Sequence, residues 1–93
     1  MENIVLHVYY TGAQAKAFVE EMQSGGLQAA VKAEDGCLQY DYFLPTRDAW
    51  IALLLEKWRD SAAIEAHNAS ENMGKLKATK AKYGLETRIE RYE

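Results

Sequence analysis

"AWIALLLEKW", residues 49–58, is the stretch on which the fold turns. It is almost wholly apolar, so by length it reads as a buried helix and by its surroundings as a strand. The surroundings decide. Pro45-Thr46-Arg47-Asp48 separates it from "CLQYDYFL", residues 37–44. That connection is too short to carry the chain across a sheet, so the two runs are expected to pair antiparallel as a hairpin. The polar interruption at Glu56 and Lys57 also favours a strand. In the upstream run Leu38, Tyr40 and Tyr42 should share one face and Gln39, Asp41 and Phe43 the other. Glu34-Asp35-Gly36 just before it is a turn signal.

Working outward, "NIVLHVYY" is β-branched and aromatic and reads as a further strand. Its period of two sets Val5, His7 and Tyr9 on one face and Ile4, Leu6, Val8 and Tyr10 on the other. Thr11 with Gln14 three positions later has the spacing of a capping box, and Ala15, Phe18, Val19 and Met22 recur at i, i+3, i+4 and i+7, the stripe of an amphipathic helix. Ser24-Gly25-Gly26 should break it, and Leu27, Ala30 and Val31 resume the stripe on a second short segment. Beyond the hairpin, Asp60 can cap a helix running through Glu65 to His67, and Ser70 can cap another that carries Met73, Leu76, Lys80 and Tyr83 on one side until Gly84 stops it. "LETRIERY" is a last, strongly charged strand suited to a sheet edge.

The resulting order is that of an α+β fold, the ferredoxin-like βαββαβ arrangement: a four-stranded antiparallel sheet with helices on one face. The other face would then show large side chains, drawn from Leu6, Tyr10, Phe43, Ile51, Leu53 and Leu55 according to register, and so wide an apolar patch calls for a cover. A second copy packed sheet to sheet, a dimeric α/β barrel, would bury roughly 1,500 Å² or more. The chain is therefore expected to be a homodimer.

Composition narrows the partners. The 93 residues suit one domain, spanning 1–93, with one core. Eleven Lys and Arg face fourteen Asp and Glu, a net charge of −3 with the signs interspersed. Nothing there attracts a phosphate backbone, which argues against nucleic acid. "MENIVLHVYY" lacks the basic start and cleavage site of a signal peptide, and the longest apolar run, Ala49 to Leu55, is far short of the roughly 20 residues that span a bilayer. A cytoplasmic protein with no membrane partner is expected. Cys37 stands alone, which rules out an internal disulfide and leaves a buried structural thiol as its expected role.

Three pieces, "AEDGCLQYDYF", "LLEKWRDSAAIEAHNAS" and the charged close "RIERY", make the chain resemble the antibiotic-biosynthesis monooxygenase domain, the family of small dimeric α+β barrels that includes quinol monooxygenases. The resemblance runs over nearly the whole chain. Its most specific parts are Gly36-Cys37-Leu38-x-Tyr40, Glu56-x-Trp58, and His67 with Ser70 after it. It implies oxygenation of a small electron-rich aromatic or quinol by O2 with no flavin, haem or metal, and the sequence carries no GxGxxG, no GxxxxGK[ST] and no ligand cluster at metal-binding spacing. Such chemistry asks for a dry aromatic slot and a base. By the same resemblance His67 is the candidate catalytic base, and His7, Tyr40, Trp58 and Met73 are the candidates for binding substrate.

Each candidate also has an ordinary reading. A histidine at a helix end can simply meet the last carbonyls, His7 can be a hydrogen-bonded core residue, and Tyr40, Tyr42 and Trp58 can fill the core. Glu56 in an apolar strand could be a base, or could pair with a Lys or Arg of the final strand. Lys75, Lys77, Lys80 and Lys82 read as a solvated face. Haem-degrading relatives of the same fold place an iron-ligating histidine where this chain has Lys75, Leu76 and Lys77, so the ligand is missing. The competing class is a non-catalytic dimeric module, ligand-binding or stress-related, that shares the fold.

Overall fold

The structure, a computed structural model, describes residues 3–93. Its elements follow in the order β1 (Ile4–Thr11), α1 (Ala15–Ser24), α2 (Leu27–Lys32), β2 (Cys37–Phe43), β3 (Ile51–Trp58), α3 (Ser61–Asn68), α4 (Glu71–Lys82) and β4 (Glu86–Tyr92). The deciding stretch is a strand, and β2 and β3 form the expected antiparallel hairpin. Strict alternation explains why β3 is not a helix. Ala52, Leu54, Glu56 and Trp58 are buried beneath the helices, and Ile51, Leu53, Leu55 and Lys57 between them are half-exposed on the other side.

The four strands lie in the order β2-β3-β1-β4, all neighbours antiparallel. This is the ferredoxin-like α+β fold, with each helical crossover divided in two. Gly26, at φ 81°, caps α2 in the left-handed region and divides the first crossover where the glycine pair stands. In the second, the side chain of Asp60 accepts from the Ala63 N–H at 2.9 Å and that of Ser70 accepts from the Met73 N–H at 3.2 Å, so two N-caps set two helices. The core gathers Phe18, Met22 and Val31 from the first crossover against Tyr40, Leu54 and Trp58 of the sheet. No helix of the described residues is long and apolar enough to cross a membrane.

Three local expectations are corrected. Thr11 does not cap α1: it ends β1, and the N-cap is Gln14, whose side chain makes no capping bond. Strand pairing captures Thr11 opposite Ile51 before a helix can start there. Leu38 does not share a face with Tyr40, because a bulge between Cys37 and Gln39 shifts the register and leaves Leu38 53% exposed. Cys37 takes the inner place instead, half-buried against the core, and burial pushes its thiol up to about 11. Leu6 and Tyr10 belong to the helix side, since they alternate with His7 and Tyr9 and stand opposite the buried Glu56 and Ala52 of β3.

On the uncovered face Tyr9, Leu53 and Phe43 stand in register across three strands, with His7 and Leu55 in the next row. Phe43 is 49% exposed and Tyr92, on the edge strand, 50%.

Candidate active site

A cavity of about 380 Å³ opens between the sheet and the second pair of helices. That volume is within the roughly 300–1,000 Å³ of small-molecule sites. Its floor is Leu6, Val8 and Tyr10 of β1 with Glu56 of β3, and its roof is Ile64 and His67 of α3 with Met73 and Leu76 of α4. The lining is mostly apolar. Two ionisable groups, Glu56 and His67, interrupt it at the inner end, 6% and 3% exposed respectively.

His67 is fixed from three sides. Its ring stacks on Trp58, centroids 4.7 Å apart at 30°, and meets Tyr40 edge-on at 6.2 Å. Its Nδ1 lies 2.9 Å from Oε1 of Glu34, and the second oxygen of Glu34 accepts from the Asn72 amide at 2.8 Å. A carboxylate only accepts, so Nδ1 carries the proton and Nε2 is the ring nitrogen left for a ligand. Ser70, beyond capping α4, donates its hydroxyl to the His67 carbonyl at 2.6 Å and ties the end of α3 to the start of α4.

What lets Glu34 reach so far is the turn after it. Gly36 adopts φ 83°, and a Cβ there would come within 2.5 Å of the Ala63 side chain, so only glycine allows the turn to press against α3. Arg59 closes the latch, donating to both oxygens of Asp35 at 3.2 Å, and its N–H bonds the Gly36 carbonyl at 2.8 Å. Arg59 holds the Asp35 carboxyl below the usual range.

Glu56 has no cation partner among the described residues, contrary to the pairing with Lys or Arg weighed from its sequence position. Its one bond is from Trp58 Nε1 to Oε1 at 2.9 Å. Burial raises its carboxyl above the ordinary value, against the opposing pull of that bond and of His67. Beside it the hydroxyls of Tyr40 and Tyr42 are buried with no hydrogen-bond partner, and burial pushes both phenols upward.

Of the residues singled out in the sequence, His67 and Met73 line the cavity. Tyr40 and Trp58 stand behind His67 and hold its ring without reaching the lumen. His7 is on the opposite face of the sheet, its Nδ1 3.9 Å from Oε1 of Glu90 and its ring 5.0 Å from that of Tyr92, so the cavity does not include it. Sequence reasoning missed Glu34, which read only as a turn residue. No local pattern marks an acid that meets its histidine 33 positions later. No group of three or more His, Cys, Asp or Glu side chains placed to hold a metal ion occurs among the described residues.

An antiparallel sheet with helices on one side and an oriented imidazole in an apolar cavity between the layers defines a ferredoxin-like fold with a small-molecule pocket. The chain belongs to the antibiotic biosynthesis monooxygenase family, whose model matches residues 4–79. It is 39% identical over 67 residues to "Putative monooxygenase YcnE" of Bacillus subtilis, covering 70% of this chain and 68% of that one. Among solved structures it is similar to PA3566 from Pseudomonas aeruginosa, with 30% identity, a TM-score of 0.78, and coverage of 99% of this chain and 93% of that one. A conserved protein from Bacteroides thetaiotaomicron shares the fold at a TM-score of 0.84 and 20% identity, covering 98% of this chain and 96% of that one.

Proposed function

We propose that the protein is a monooxygenase that oxidises a small electron-rich aromatic, a quinol or related phenol, with O2 and no cofactor, as a cytoplasmic homodimer. The observation that carries this reading is His67, oriented by Glu34 and lining an apolar cavity of ligand size.

The steps balance without an added reductant. Nε2 of His67 takes the phenolic proton, which makes the ring electron-rich enough to pass an electron to O2. The two radicals join through a new C–O bond at a ring carbon beside the oxygen, and His67 returns its proton to the peroxide. The same carbon then gives up its hydrogen as a proton while the O–O bond breaks and hydroxide leaves, forming water and a carbonyl. One oxygen atom stays in the product, the other becomes water, and all four electrons come from the substrate. The apolar lining keeps solvent from the radical pair and the peroxide.

The uncovered sheet face is read as the dimer interface. Phe43, Leu53, Leu55, Tyr9 and Tyr92 form the apolar patch that a second copy would cover.

Supplying isotopically labelled O2 with a menadiol-type quinol tests the reaction. One labelled atom per product molecule is expected. Oxidised quinol free of label would overturn oxygenation, and no oxidation of any electron-rich phenol would leave the cavity as a binding site.

A further inference from the structure

The four lysines of α4, alike in sequence, part company in space. Lys82 pairs with Glu21 at 2.6 Å, and Lys75 faces a different hollow, between α4 and the α1–α2 break. Lys77 and Lys80 line the cavity. They continue the stripe of Met73 and Leu76 at i+4 and i+7 from Met73, so the helix that roofs the pocket with apolar groups ends that stripe in cations. Arg91 of β4 lines the cavity too, though its guanidinium already donates to Glu93 at 2.7 Å and to Ser61 at 3.4 Å. Neither Lys77 nor Lys80 has a carboxylate within 4.0 Å among the described residues. The one acid in the lining, Glu56, is at the buried end. The chain as a whole is acidic, at −3, so a cationic rim on this opening runs against its average charge.

We propose that the ligand of this cavity is an aromatic acid, its carboxylate held by Lys77 and Lys80 at the solvent side while its ring lies on Met73 and Leu76 and its phenolic oxygen meets His67. This rests on the reading of the cavity as the site of phenol oxidation and adds to it the charge of the substrate. The rim is the exposed end of the lining, where an ammonium keeps part of its hydration and an arriving anion loses little of its own. Charge there selects and steers the ligand more than it tightens the complex.

The test is binding by calorimetry in the absence of O2, with 6-hydroxy-2-naphthoate, whose hydroxyl and carboxylate stand at opposite ends of the ring system, and its uncharged methyl ester as probes. The wild-type protein is expected to bind the acid about tenfold more tightly than the ester at low salt, the size two rim ion pairs supply. That preference should shrink as NaCl rises from about 0.05 to about 0.5 M. The Lys77→Met/Lys80→Met double variant should bind both probes alike, and Lys75→Met should keep the preference. Equal binding of acid and ester by the wild type, or a preference that survives loss of both lysines, overturns the proposal. The wild-type comparison decides the matter if the double variant fails to fold. Absence of O2 uptake with every quinol would remove the oxygenase reading and leave this binding preference standing, whereas quinol oxidation with no preference for the acid would remove only the anion.

Discussion

Nδ1 of His67 and Oε1 of Glu34 meet at 2.9 Å, joining the end of α3 to a turn 33 residues earlier. The bond fixes which ring nitrogen carries the proton, and it offers a negative partner to the imidazolium that forms when His67 takes a proton. Glu34→Gln can keep the contact through its amide while losing the charge and the fixed tautomer. Quinol oxidation should fall by at least about tenfold, with the KM for quinol nearly unchanged. Steady-state O2 uptake read against quinol concentration checks this, and an unaltered kcat would remove Glu34 from the mechanism.

Glu56 makes stability depend on pH in a definite direction. Its carboxyl is raised in the folded protein, chiefly by burial, so at a pH between the unfolded and folded values the native state holds a proton that the unfolded chain has released. Stability from this residue is therefore full below the unfolded value and is lost as pH rises through the folded one. Glu56→Gln imitates the protonated form. Its thermal midpoint should match the wild type in acid and exceed it at alkaline pH, as differential scanning fluorimetry across pH would show.

Two tyrosines with opposite surroundings make a matched pair. The Tyr40 hydroxyl is buried with no partner, whereas that of Tyr83 donates to Glu21 at 2.6 Å. A buried unsatisfied group costs about 1–3 kcal/mol and a satisfied bond contributes about 1 kcal/mol. Tyr40→Phe should thus raise the midpoint of urea unfolding, and Tyr83→Phe should lower it.

The elements were legible because their signals are local. The short Pro45–Asp48 connection that returns residues 51–58 as a hairpin strand, the glycine pair at Gly25 and Gly26, and the caps at Asp60 and Ser70 each act within a few residues, and each stands where its chemistry indicated. What failed was competition between local signals and pairing. Thr11 has a capping-box spacing, yet its backbone is taken by β3, and Leu38 has the right parity, yet a bulge moves it outward. The site was half legible. His67 and Met73 came from a family resemblance, but the acid that orients His67 comes from a turn that only Gly36 can bring against α3, and no spacing encodes that meeting. His7 shares the polarity and ring of a site residue, and only the strand's alternation with the helix-covered face sends it to the other side.

The exposed row Tyr9, Leu53 and Phe43 carries the prediction on assembly. In solution at micromolar concentration the protein should have twice the 10.5 kDa mass of the chain. Leu53→Glu places a charge in the middle of that row and should yield a monomer by light scattering. A wild-type monomer would show that the face needs no cover.

Oxygen uptake by His67→Ala, measured with a menadiol-type quinol beside the wild type, bears most directly on the chemistry assigned to the cavity. Removal of a general base should cost about a hundredfold or more in rate, with the fold intact by circular dichroism. Turnover equal to the wild type in a well-folded variant would contradict the role given to His67.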